Sequence, residues 1–304
     1  SASHRSWCTT SETRPHMLQP PWTTVLTQGE HDLILFVMVA TTLTLFATLV
    51  RARFSAGESH GTFQIASLTA NAVVALALVT YLAMIAAFLL GYTAVHGTYV
   101  PNGGARLAWE LRYMDWVVTV PLLVLELVAI SALTPAATVR TRRLGMVSAA
   151  AMVVCGFLGA FVVAGGTDRT TYTLFGVAGA LFFAVLYALF FNATRTSLPR
   201  LPEAARAPYR SAVILLLITW LAYPIVYGLV GGLSGGVVVV VAQVAFCFAD
   251  MIIKIAFSGL VHQASVLRSR NDDLLDPSTV KRPRRARSAS VYVSDTRAVD
   301  FDED

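Results

Sequence analysis

The sequence predicts an all-α membrane protein, a seven-transmembrane-helix bundle with the amino terminus outside and the carboxyl terminus inside, and three observations carry that expectation. Hydrophobic residues make up 56% of the 304 and charged residues only 13%, with a mean hydropathy of +0.63, far from the balance of a water-soluble domain. The apolar residues are gathered in runs long enough to cross a bilayer, whose hydrocarbon core takes roughly 20 helical residues. The basic residues collect in one set of connections between those runs, and short cytoplasmic loops are where arginine and lysine accumulate. Neither an enzyme nor a nucleic-acid partner is expected. The expected surroundings are membrane lipids, around a multi-pass integral protein of the plasma membrane.

In chain order, Leu33–Val50 is the first span and Thr62–Val95 the second. The third, Tyr113–Val139, is broken only by Asp115 and Glu126. Leu144–Thr167 and Thr170–Thr194 follow as the fourth and fifth. The long run Ser211–Ala249 is divided by Gly231-Gly232-Leu233-Ser234-Gly235-Gly236, which reads as a turn between the sixth and seventh helices, and the seventh continues through Phe246–Leu260. Arg51 and Arg53, then Arg140, Arg142 and Arg143, then Arg195, Arg200, Arg206 and Arg210 fall in alternate connections, whereas the opposite ones hold only Arg106 and Arg169. The arginine-rich side is therefore expected inside.

Residues 1–30 are polar, with Pro20-Pro21 before the first span. They lack the n-region and h-region of a signal peptide and are expected to be an extracellular tail. Residues 31–268 are expected to form the membrane domain, and 269–304 a disordered, charged cytoplasmic tail. That tail has a basic block, Lys281-Arg282-Pro283-Arg284-Arg285-Ala286-Arg287, suited to anionic lipid headgroups, and an acidic end, Asp300–Asp304. Cys8, Cys155 and Cys247 make no disulfide framework and no metal-ligand spacing, so no metal is expected.

The informative residues are the charges that this apolar background should not tolerate. Lys254 is the only lysine ahead of the carboxyl-terminal tail, and it lies inside the seventh span. A charge at mid-membrane costs about 2.5–3.5 kcal/mol on insertion scales, so such a residue is by default functional and has a partner. Asp250 stands one helical turn before it. A buried lysine can also shed its charge penalty by forming a Schiff base with a carbonyl ligand. In the third helix, Arg112, Asp115, Thr119 and Glu126 share a stripe, because eleven residues make almost three turns and set the two carboxyls about 16 Å apart in depth. Leu122, Leu123, Val124, Leu125 and Leu127 surround Glu126 and favour its neutral, proton-carrying form. A carboxylate beside a cation and a carboxyl in an apolar setting are a base and an acid with assigned directions.

The third-helix string Arg112-Tyr113-Met114-Asp115-Trp116-Val117-Val118-Thr119-Val120-Pro121-Leu122-Leu123-Val124-Leu125-Glu126, with Trp220-Leu221-Ala222-Tyr223-Pro224-Ile225-Val226-Tyr227 and Asp250-Met251-Ile252-Ile253-Lys254, resembles the microbial (type 1) rhodopsins. The resemblance spans about residues 31–268. It implies all-trans retinal bound covalently on Lys254 as a Schiff base. It further implies Asp115 as proton acceptor and counterion, Asp250 as second counterion, Glu126 as cytoplasmic proton donor, and Arg112, Thr119 and Tyr81 in support. Trp116, Leu123, Met152, Gly156, Trp220, Tyr223, Pro224 and Tyr227 match the retinal pocket. The Asp-Thr-Glu set at 115, 119 and 126 resembles the outward proton pumps of the proteorhodopsin, xanthorhodopsin and bacteriorhodopsin kind, rather than chloride or sodium pumps. A photosensor acting on a partner is the alternative, and a light-gated cation channel a weaker one, since the second helix offers few polar residues for a pore.

Several positions depart from that pattern. Thr80 stands where many bacterial members have a histidine, so Asp115 should lack a histidine partner. Leu233, Ser234, Ala242 and Gln243 stand where the archaeal prototype places release glutamates, which implies late proton release. Tyr227 replaces a retinal-lining tryptophan, and apolar Leu123 and Ile253 favour green absorption. Gly176 matches a glycine that opens a window for a carotenoid antenna in xanthorhodopsin-like proteins, although a small residue for close helix packing is the stronger reading there. A homo-oligomer, trimer or pentamer, is expected by resemblance.

Overall fold

Each apolar run folds as a helix, and the runs lie side by side in a ring. The computed structural model describes residues 17–54 and 64–275. Cys8, the basic block at 281–287 and the acidic end at 300–304 lie outside the described residues. The helices are α1 (Gln28–Phe54), α2 (Gln64–Gly91), α3 (Ala105–Ala129), α4 (Pro135–Phe157), α5 (Arg169–Ser197), α6 (Glu203–Trp220), α7 (Ala222–Gly232), α8 (Gly236–Met251) and α9 (Ser258–Leu275). A π-helical stretch, Leu158–Val162, and a 3₁₀ turn extend α4, α6 runs on into α7, and a π-helical stretch, Ile252–Phe257, joins α8 to α9. Six of the resulting rods are long and apolar enough to cross a membrane. The other, α3, has 25 residues and differs by carrying Arg106, Glu110, Arg112, Asp115 and Glu126.

Two breaks have identifiable causes. The run Tyr113–Val139 is not one helix: α3 stops at Ala129 and α4 starts at Pro135, so Val139 belongs to the next rod. Proline fits the first helical turn, and Thr134 accepts a hydrogen bond from the Ala137 N–H at 3.4 Å as the cap. The sixth rod bends at Leu221 because Pro224 has no N–H to return to the Trp220 carbonyl. Pro121 lies within α3 without breaking it.

The all-helical expectation misses a small sheet. Strands β1 (Leu26–Thr27), β2 (Tyr92–Val95) and β3 (Thr98–Pro101) form an antiparallel sheet in the order β1-β3-β2. The β2–β3 hairpin turns at His96-Gly97, both with positive φ (47° and 80°), the backbone of a tight two-residue turn. Residues 17–27, read from the sequence as part of an extracellular tail, pack on this end of the bundle. Leu18 N–H donates to Thr167 at 2.7 Å, Trp22 stacks on Phe161 at 4.7 Å, and Leu26 is fully buried. Large apolar side chains such as Phe36, Leu90, Phe191 and Val237 face outward, which only a lipid surface accommodates on this scale.

The ring closes through α1 against α2 and α8, α2 against α3 and α9, α3 against α4, α4 against α5, α5 against α7, and α6 against α9. Gly91, at the end of α2, allows the first of the α3 contacts. A Cβ there would lie 2.6 Å from the Ala105 Cα. The middle of the ring, rather than any loop, is where the charged residues meet.

Candidate functional site

Lys254 projects from the π-helical stretch into the middle of the bundle and is 1% exposed. Such wide turns inside α-helices are rare and recur at functional positions. Its nearest partner is Asp115 of α3, whose Oδ2 it contacts directly. Asp250, the partner suggested by helical spacing, lies farther off, 3.8 Å from Nζ. Thr119 donates to the Asp115 main-chain carbonyl at 2.9 Å and to Asp115 Oδ2 at 3.4 Å.

Asp250 belongs chiefly to a second set. Its carboxylate accepts from the Tyr81 hydroxyl at 2.7 Å, the Tyr223 hydroxyl at 3.0 Å, Trp116 Nε1 at 3.3 Å and Arg112 Nη1 at 3.3 Å. Arg112 also donates to the Tyr81 hydroxyl at 3.1 Å and, through Nη2, to Gln243 Oε1 at 2.8 Å. Its guanidinium lies over Phe246 at 5.2 Å and Tyr81 at 5.5 Å. The four charges, two of each sign, sum to zero. Buried ions persist only where pairing and hydrogen bonds offset the lost hydration, and this cluster supplies both.

Glu126 stands apart on the same helix. It is fully buried, its Oε1 has no partner, and its Oε2 accepts one hydrogen bond, from Ser258 Oγ at 3.1 Å. One helix therefore holds a carboxyl locked to a cation and, eleven residues on, a carboxyl with a single hydroxyl for company.

Beside the charge cluster is a cavity of about 430 Å³, within the usual range for small-molecule sites. Its walls include Trp116, Met152, Gly156, Trp220, Tyr223, Pro224 and Tyr227, all matched by resemblance to a retinal pocket. Leu123 and Lys254 are buried but lie off that wall. Trp116 and Tyr223 link the two compartments, since both line the cavity and both donate to Asp250. An apolar, aromatic slot, two of whose walls also hold the aspartate near a buried lysine, has the character that a long apolar carbonyl ligand joined to that amine would need.

Gly176 lines the same cavity, and a Cβ there would come within 2.8 Å of the Tyr227 ring. Tyr227 is fixed in turn: it stacks on Tyr172 at 4.1 Å, and each hydroxyl donates to the other residue's carbonyl, at 2.7 and 3.0 Å. The space at Gly176 is taken by that ring.

Four residues make contacts that the sequence does not reveal. In the sequence Gln243 stands out only as a missing acid, yet it is an Arg112 partner. The hydroxyl of Tyr223 and the indole N–H of Trp116 were placed in a pocket wall, yet they hold Asp250. Ser258 was not singled out, although a polar residue four after Lys254 in an apolar span was the available signal.

Among proteins of known sequence or structure, residues 30–267 match the family model described as bacteriorhodopsin-like protein. Sensory rhodopsin-2 of Haloarcula vallismortis is 28% identical over 211 residues, 69% of this chain and 81% of that protein. Bacteriorhodopsin of Halobacterium salinarum is 32% identical over 202 residues, 65% of this chain and 68% of that protein. The crystal structure of thermophilic rhodopsin superposes with a TM-score of 0.74 at 25% identity, covering 82% of this chain and 98% of that one.

Proposed function

The chain belongs to the bacteriorhodopsin-like protein family, whose members bind retinal in the membrane, and from that premise we propose that it is a light-driven outward proton pump with all-trans retinal on Lys254. The observation that carries this reading is the unlike surroundings of two carboxyls on one helix, Asp115 against a cation and Glu126 against a lone hydroxyl.

Bound at the Lys254 nitrogen, retinal would supply light absorption and a change of shape. Trp116, Met152, Gly156, Trp220, Tyr223, Pro224 and Tyr227 would hold it, and their aromatic walls would exclude water. Asp115 accepts the proton from the Lys254 nitrogen because its Oδ2 is the immediate partner there. Thr119 steadies that carboxylate. Arg112 and Asp250, held by Tyr81, Tyr223, Trp116 and Gln243, keep a balancing charge pair in place while the first pair is neutralised. Glu126 carries a proton in its apolar setting and returns it to the Lys254 nitrogen. With the arginine-rich ends inside, Asp115 lies nearer the outside and Glu126 nearer the inside, so each cycle moves a proton outward. A carotenoid antenna is not needed for this reading, since packing against Tyr227 accounts for Gly176. Assembly as a trimer or pentamer is part of the same proposal and rests on resemblance.

The name of the Haloarcula relative brings a second reading, a photosensor, which predicts no sustained proton movement. The test is to illuminate cells that express the chain with added all-trans retinal and to record external pH. Acidification abolished by a protonophore, with loss of the visible band in Lys254→Ala, is the expected result. No acidification, or a photocurrent that reverses with voltage, overturns the pump.

A further inference from the structure

Beyond Lys254 the seventh rod carries two more polar residues at one-turn spacing, Ser258 and His262, and each reaches a different neighbouring helix. Ser258 Oγ donates to Glu126 Oε2 of α3 at 3.1 Å. One turn farther along, His262 Nδ1 is 3.1 Å from Ser67 Oγ of α2. Burial falls along this line: Glu126 is fully buried and Ser258 is 7% exposed, while His262 and Ser67 are half-buried. The line runs toward the end of the bundle where Arg268 donates to the carbonyls of Ile130 and Ser131, just past the end of α3, both at 2.9 Å. Arg51 of α1 is close by, with Nη2 3.9 Å from where a Cβ on Gly259 would stand.

We propose that His262 and Ser258 form the route by which Glu126 regains a proton from the aqueous phase at this end. The inference rests on Glu126 being the proton donor of the proposed pump. Both groups have the needed chemistry. An imidazole can bind a proton on one ring nitrogen and release one from the other, and a hydroxyl donates one proton while accepting another. In the transfer, water at the bundle end gives a proton to His262. The ring passes one on toward Ser258, and Ser258 gives its hydroxyl proton to the Glu126 carboxylate as it takes the incoming one. Serine and histidine end with the proton counts they began with, the imidazole as its other tautomer until it turns back, while Glu126 gains one O–H bond and the aqueous phase loses one proton. Ser258 and His262 are four residues apart, about 6 Å along the axis at 1.5 Å per residue, so the step between them is assigned to one bridging water. Glu126 Oε1, buried without a partner, leaves Ser258 as the one hydrogen-bonding contact of the carboxyl among the described residues.

The experiment compares the retinal-loaded full chain with its Ser258→Ala, Ser258→Thr, His262→Ala and Glu126→Gln variants. The infrared carboxyl stretch of Glu126, identified by its loss in Glu126→Gln, is recorded without illumination. Proton uptake and reprotonation of the Lys254 nitrogen are timed after a flash. Ser258→Ala should move the stretch to higher wavenumber and slow uptake by about tenfold or more, and Ser258→Thr should restore both. His262→Ala should leave the stretch in place, slow uptake similarly, and regain speed with imidazole in the buffer. Should His262→Ala fail to form the visible band, His262→Asn carries the same comparison. Wild-type uptake in both the serine and the histidine variants, with Glu126→Gln slow, overturns this route alone. Unchanged reprotonation in Glu126→Gln overturns the donor assignment on which it rests.

Discussion

Lys254, Asp115, Arg112 and Asp250 meet with almost no exposure to water, yet they are not equivalent in what they could lose. Lysine can shed its proton when buried and unpaired, whereas arginine cannot. Asp250 is also the acceptor for two hydroxyls and an indole, while Asp115 Oδ1 has no partner at all. Asp250→Asn is therefore expected to destabilise the chain by about 3–5 kcal/mol, the cost of stranding a buried charge, and Asp115→Asn by clearly less. Thermal unfolding in detergent followed by circular dichroism checks this, and equal melting temperatures would refute the ranking. The residues of the cluster were legible in the sequence because a charge in an apolar run is conspicuous. Their pairing was not legible from helical spacing alone, although the resemblance already implied Asp115 as the counterion of Lys254. Helical spacing put Asp250 beside Lys254, but the direction of a side chain from a π-helical turn brings Asp115 nearer. Gln243 and Ser258 are uncharged, and a polar residue in an apolar span is a weaker signal than a charge.

The helices owe their positions to a few close approaches. At the junction of α2 and α3, a Cβ on Gly91 would meet the backbone of Ala105 and Gly104, and backbone cannot swing aside as a long side chain can. The Asn102 N–H, donating to the Gly91 carbonyl at 2.8 Å, ties the same point. Gly91→Ala should cost about 1–3 kcal/mol through overpacking. Gly29→Ala, where a Cβ meets no neighbour, should leave the melting temperature unchanged. A scan of both variants in one detergent decides the matter, and equal melting points would show that the contact yields freely. Length and hydropathy foretold these rods because a membrane span is a long, one-property signal. The β2–β3 hairpin was missed for the opposite reason. Four-residue strands around His96-Gly97 follow so closely on an apolar helix that they read as its continuation. The break before Pro135 was hidden in the same way, inside an uncharged stretch.

Across the molecule, the arginines of α1, α4, α5 and α6 lie near helix ends rather than within the apolar middle, and their distribution sets the proposed orientation. In a chain with Cys8→Ser, Gly103→Cys should react with a membrane-impermeant thiol reagent in intact cells, and Arg200→Cys only after permeabilisation. Both positions are exposed, at opposite ends of the bundle. The reverse pattern would invert the orientation and, with it, the direction of pumping. The class, the long apolar rods and the residues of the candidate site are legible in sequence, because burial of charge in hydrocarbon is costly enough to leave a visible mark on composition. Which carboxylate holds Lys254, which residues hold Asp250 and what accompanies Glu126 depend on contacts between helices far apart in the chain. Hydrogen bonds of about 3 Å are fixed by how rods pack, and a linear pattern does not encode that distance.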